Sequence, residues 1–136
     1  MKILFIQKRI LLPPNTGGRI RSLNVLRHLA RWHEVTYLCN VEPGNAPFLA
    51  DMRGVGVRLE TVPLQPIRRG EWRFYRDLAM NLFSPYPFTV AKNSDAALRA
   101  RAEALLRETP HDLVICDFVQ LARHAVGLPG VAKVLF

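Results

Sequence analysis

Two hydrophobic periods alternate along this chain. Residues 2–7, KILFIQ, form a short, nearly all-apolar run. Such a run suits a strand buried on both faces, as in a parallel sheet. From Gly18 to Trp32 the apolar residues Ile20, Leu23, Leu26, Leu29 and Ala30 recur at helical spacing, with Arg19, Arg21, Arg27 and Arg31 largely off that stripe. HEVTYLCNV, 33–41, returns to strand chemistry, rich in β-branched and aromatic residues. EPGNAP, 42–47, is a turn, and a short helix is predicted over 47–53. Over 55–64, Val55, Val57, Leu59 and Thr61 alternate with Gly56, Arg58 and Glu60, which predicts a third strand near a sheet edge, ended by Pro63.

The second half repeats the alternation. Phe74, Tyr75, Leu78, Ala79 and Leu82 mark one face of a helix over 72–83, and SPYPF, 84–88, breaks it. Asn93 or Ser94 caps a helix reaching about Glu108, with Leu98, Ala102, Leu105 and Leu106 on its stripe. HDLVICD, 111–117, is a fourth strand; a short helix over 118–125 and a fifth strand over 132–136 follow. Strands that alternate with helices predict an α/β fold: one Rossmann-like domain, a parallel sheet of about five strands, helices on both faces. The pattern stops inside its fifth strand at Phe136, where a parallel strand ordinarily feeds a crossover. This predicts that residues 1–136 are the first part of a longer chain.

Composition narrows the picture. The 136 residues are 49% hydrophobic and 22% charged, ordinary for a globular chain. Nineteen Lys and Arg against 11 Asp and Glu give a net charge of +8. That invites nucleic acid, an anionic membrane surface or an anionic small ligand as partner. The positive charge is dispersed, however, as on a solvated surface, and no RNP, KH or helix-turn-helix signature supports nucleic acid. Cys39 and Cys116 each close an apolar run, form no CxxC pair and have no histidine at metal spacing. They read as buried, reduced thiols of a cytoplasmic protein. Lys8 and Arg9 interrupt the apolar N-terminus and no small-residue cleavage site follows, so it does not read as a convincing signal peptide, and no run is long enough to span a bilayer.

In an open α/β sheet, ligands sit outside the carboxyl ends of the strands, at the switch point of strand order. That rule selects the loop after the first strand, KRILLPPNTGG. Gly17 and Gly18 let a ligand approach the backbone, and they open a helix whose free N–H groups favour an anion. Asn15 and Thr16 offer hydrogen bonds, Arg19 and the nearby Lys8 and Arg9 add charge, and Pro13 and Pro14 stiffen the loop. The alternative is a plain tight turn. Neither G-x-G-x-x-G nor G-x-x-x-x-G-K-[ST] is present, which argues against dinucleotide and P-loop chemistry.

Asp117 ends the fourth strand. It either accepts a hydrogen bond from a sugar hydroxyl, or acts as a base, or caps the next helix. Gln120 lines the same crevice. His28, His33, His111 and His124 form no metal set and no nucleophile triad. The segment 67–88 interleaves arginines and aromatics. Arg68, Arg69, Trp72, Arg73, Phe74 and Arg76 suit an anionic membrane interface or an apolar acceptor; the alternative is a helix packed on its own sheet with arginines outward.

The stretches MKILFIQKRILLPPNTGGRIRSLNVLRHLARWHEVTYLCN and HDLVICDFVQLARHAVGLPGVAKVLF resemble the N-terminal domain of GT-B fold glycosyltransferases of the retaining family four. The likeness is to sugar transferases of bacterial exopolysaccharide assembly and covers most of the chain; Gly-Gly followed by HEVT is its fairly specific part, and the middle, 42–92, is not specific. It implies the acceptor-side half of a two-domain enzyme that moves a sugar from a nucleotide-sugar donor to a glycan or lipid-linked acceptor. It implies no metal or other cofactor. Gly17 and Gly18 match the loop that reaches the donor diphosphate, and Asp117 the polar position after the fourth strand. The family's donor domain and paired glutamates have no counterpart in these 136 residues, so the isolated chain is expected to be inactive. An uncovered cleft face would favour a homodimer, and peripheral attachment at the inner membrane face fits the basic aromatic segment. Two other classes remain open: a flavodoxin-like or response-regulator-like binding module, against which the absence of an acid in 8–18 counts, and a basic nucleic-acid-binding domain.

Overall fold

The computed structural model describes residues 1–64, 79, 96–117, 127–128 and 132–135. Five strands form one sheet: β1 (Lys2–Arg9), β2 (Glu34–Val41), β3 (Arg58–Pro63), β4 (Leu113–Cys116) and β5 (Ala132–Leu135). Three helices lie among the described residues: α1 (Gly17–Trp32), α2 (Phe48–Arg53) and α3 (Ala96–Glu108). The strand order is β3-β2-β1-β4-β5 and every pair is parallel.

β1 is central because both its faces are apolar. Ile3 and Phe5 enter one core with Leu23 and Leu26 of α1, Tyr37 of β2 and Met52 of α2. Leu4 and Ile6 enter a second core with Leu38 of β2 and Leu98, Ala102 and Leu105 of α3. Each fully buried Leu or Ile contributes about 2 kcal/mol relative to an exposed position. The predicted α/β sheet with helices on both faces is therefore the observed one. Cys39 and Cys116 are free and buried, as their runs predict.

Four details depart from the sequence reading. β1 runs two residues beyond Gln7, to Arg9, and carries a register shift: Gln7 pairs with Cys39 and Arg9 with Asn40. β3 starts at Arg58, not Val55, because Gly56 turns the chain at φ 87°. In it Thr61 is exposed and Val62 buried, the reverse of the predicted alternation at that end. Ile20, counted on the stripe of α1, is 47% exposed.

α3 is fastened to the edge strand by charge. Arg101 donates to Glu60 Oε2 and to Glu108 Oε1, both at 2.9 Å. The predicted stripe of α3 is correct: Leu98, Ala102 and Leu105 are buried and Leu106 is partly buried. Its predicted cap, the helix over 72–83 and the helix over 118–125 fall outside the described residues, Ala79 excepted.

Candidate functional site

Strand order reverses beside β1. The chain steps from β1 to β2 to β3 on one side, then crosses to β4 and β5 on the other. The carboxyl ends of β1 and β4 therefore border the switch-point crevice. Gln7 and Asp117 stand at those two ends, and α1 begins above them.

The register shift shapes this corner. A residue inserted into one strand loses its ladder partner and re-aims its neighbours. Lys8 is that residue here, and its N–H donates to Gln7 Oε1 at 2.7 Å. With its oxygen so used, the Gln7 amide donates through Nε2 to Asp117 Oδ2 at 2.5 Å. Asp117 is fully buried, and its own N–H donates to the Ile6 carbonyl at 3.1 Å. Arg21 of α1 donates to Asp117 Oδ1 at 3.0 Å. Both carboxylate oxygens are thus held by protein donors from two different elements.

Beneath the corner lies Tyr37, whose hydroxyl donates to the Arg9 carbonyl at 2.9 Å. Burial pushes its phenol well above 10, and the nearby charge of Asp117 adds to that while Arg19 opposes it. Tyr37 fixes the end of β1 from below.

The proline-glycine loop is wound around one side chain. Arg19 donates from Nη1 to the Pro13 carbonyl at 3.3 Å and to Asn15 Oδ1 at 3.1 Å. The Asn15 N–H donates to the Pro13 carbonyl at 2.9 Å, and the Leu12–Pro13 peptide is cis. Thr16 is the N-cap of α1, its hydroxyl accepting from the Arg19 N–H at 3.4 Å. Gly17 and Gly18 are the first two helical residues, where N–H groups have no partner within the helix. Gly17 has no positive φ, and a Cβ built on it would meet nothing within 4 Å. The fold itself makes no demand for glycine there.

The predicted loop residues Asn15, Thr16, Gly17, Gly18 and Arg19 thus come together at the crevice, beside Asp117. Two of them also serve the loop: Asn15 Oδ1 and Thr16 Oγ1 accept from Arg19, bonds that do not use the donor groups of either side chain. The corner also contains Gln7 and Arg21, which the sequence reading missed. Their signal was present in part: Arg21 lies four residues after Gly17, hence on the same helix face. Lys8 and Arg9 stand at the rim, Arg9 paired with Glu42 at 3.2 Å. Beyond that pair lies an apolar hollow of about 330 Å³ at the carboxyl ends of β2 and β3, lined by Val41, Glu42, Pro43, Ala46, Pro63 and Leu64 among others. A larger hollow of about 470 Å³ opens at the amino ends of the inner strands, beside Lys2, Glu34 and Asp112, far from the switch point.

Gln120, His124 and the basic aromatic residues Arg68, Arg69, Trp72, Arg73, Phe74 and Arg76 lie outside the described residues. His33 and His111 flank the amino ends of β2 and β4, away from the crevice, as expected. Among the described residues no group of His, Cys, Asp and Glu could hold a metal ion, and no helix is long and apolar enough to cross a membrane.

Sheet order, all-parallel pairing and helices on both faces define a Rossmann-like α/β domain. Solved structures agree on that class. Two crystal structures of the C-terminal domain of a hydrogenase from Pyrococcus furiosus are similar to the chain. One has a TM-score of 0.57 at 16% identity, covering 99% of this chain and 90% of the other; the second has 0.53 at 16%, covering 98% and 89%. At that identity the likeness is one of fold alone. No sequence family and no curated protein matches the chain.

Proposed function

We propose that the chain is the acceptor-side domain of a GT-B glycosyltransferase, with the diphosphate of a nucleotide sugar seated at Gly17 and Gly18. One observation carries the reading: a helix opens with two glycines, at a switch-point crevice, where no neighbouring atom requires a glycine at position 17. Unpartnered N–H groups at such a helix start suit phosphate oxygens. The apolar hollow beside Glu42 supports the reading as a place for part of an acceptor. The sequence resemblance supplies the sugar and the transfer; the corner's chemistry supplies only the anion.

In this reading the chain binds and orients; its residues form no bond with the sugar. The free amides of α1 take the diphosphate charge, and the crevice keeps the acceptor on the β2–β3 side. The nucleotide itself is held by the family's other domain, so affinity for the isolated chain is weak and is read by NMR rather than by turnover. Titrating UDP-glucose or GDP-mannose into ¹⁵N-labelled protein is expected to shift the amide signals of residues 15–19. Shifts that leave 15–19 untouched, or no shift with either sugar nucleotide at millimolar concentration, overturn it.

A further inference from the structure

Resting on that reading, we propose that Arg21 is a diphosphate-contacting residue and that buried Asp117 is its positioning residue. The sequence reading placed Asp117 in direct contact with a sugar or a helix start. The geometry points to a different division of labour.

Asp117 has no exposed surface, while the side chain of Arg21 is 48% exposed. The carboxylate sits at the floor of the crevice, with the half-exposed arginine above it. Gln7 takes Oδ2 and leaves Oδ1 to Arg21. The amide of Gln7 cannot turn over without losing the Lys8 N–H, so it presents Nε2 to the acid. The register shift in β1 therefore presents an N–H donor, not an amide oxygen, to the carboxylate.

Helical side chains lean toward the N-terminus of their helix, so Arg21 leans over the turn that begins at Gly17. Gly17 puts no side chain in the way, and the space above it is open. A fixed cation thus stands next to the first amides of α1. Arginine suits this place better than lysine, since its planar fork can serve a buried carboxylate on one side and a phosphate on the other. The ion pair with Asp117 removes rotamer freedom from this side chain in advance, so a phosphate meets a cation that is already held.

The positioning role makes an unusual prediction about charge. Asp117→Asn removes a negative charge from an anion site and raises the net charge by one. A site that attracts anions by charge alone binds more tightly after that change. A site that depends on a held Arg21 binds more weakly.

The experiment is an NMR titration of the 136-residue chain with inorganic pyrophosphate, following the amides of 15–19 and the Arg21 side-chain Nε–H. In the unaltered protein both sets shift. Asp117→Asn is expected to weaken pyrophosphate binding roughly tenfold despite its added charge. Arg21→Lys changes an exposed group, keeps the charge and spares the fold; it is expected to weaken binding by a similar factor. It also carries the test alone if Asp117→Asn does not fold. Equal or tighter binding by Asp117→Asn, or by Arg21→Lys, with the 15–19 amides still shifting, overturns the roles of Asp117 and Arg21 and leaves the proposed function standing. No shift at 15–19 in the unaltered protein overturns the proposed function, and this inference with it.

Discussion

Gly17→Ala separates what the fold requires from what a ligand requires. Gly17 is the first residue of α1, with ordinary helical backbone and 4 Å of open space around the position a Cβ would take. Alanine there meets no clash and restricts the unfolded chain. Interior glycines cost about 1 kcal/mol against alanine, and compatible Gly→Ala changes gain about 0.4–1 kcal/mol. At a helix end the lower value applies. For a domain of this size that is a rise in melting temperature of about 2 °C. The same methyl group stands on the amide surface that a phosphate would touch, where oxygen must come within about 3 Å of nitrogen. Pyrophosphate binding should fall at least about fivefold, near 1 kcal/mol. Thermal unfolding by circular dichroism and the pyrophosphate titration read the two effects separately. A lower melting temperature would show that the fold itself needs this glycine. Unchanged binding in a stabilised variant would remove the ligand as the reason for it.

Thr16→Ala removes the hydroxyl that accepts from the Arg19 N–H at the start of α1. The bond is long, so the loss should be about 0.5–1 kcal/mol by urea denaturation, and Thr16→Ser should recover most of it; an alanine variant as stable as the serine variant refutes the cap. Stability should also fall at alkaline pH. Burial raises both Cys39 and Cys116 from 9 to about 12, and raises Tyr37 above 10. All three are protonated in the folded state where the unfolded chain has begun to release the proton, so their contribution is complete below about pH 9 and is lost as pH climbs toward 12. The urea midpoint should be lower at pH 10.5 than at pH 8, and equal midpoints contradict the burial argument.

Much of the fold was readable because it rests on local pattern. KILFIQ is apolar on both faces, and only a central strand covered by helices on each side can bury both. The stripe Leu98, Ala102, Leu105 and Leu106 found its helix for the same reason. The errors fell where one residue breaks a period. Gly56 turns the chain before β3 can begin, and Val62 is buried on the α3 face of the sheet, opposite to the face that the alternation assigned to Leu59 and Thr61. The extension of β1 to Arg9 came with a register shift, which no hydrophobic period records.

The candidate site was half legible for a related reason. The glycine loop is contiguous, so its residues declare themselves together. The corner below it joins Gln7, Arg21 and Asp117, and the last two are 96 positions apart. In the sequence, Arg21 is one of several arginines off an apolar stripe and Gln7 is the tail of a strand. What distinguishes them is that β4 crosses to the far side of β1 and brings a buried acid to both. That acid lies on the α1 face of the sheet, with Ile115 two residues earlier in the α1 core and Cys116 in the other. A carboxylate on that face at the end of β4 lies within reach of donors from β1 and α1, and the chain supplies one of each. The partnership follows from strand order plus pleat. Given the topology, a buried acid at the switch point predicts a basic residue within the first turns of α1, and this chain places Arg21 there.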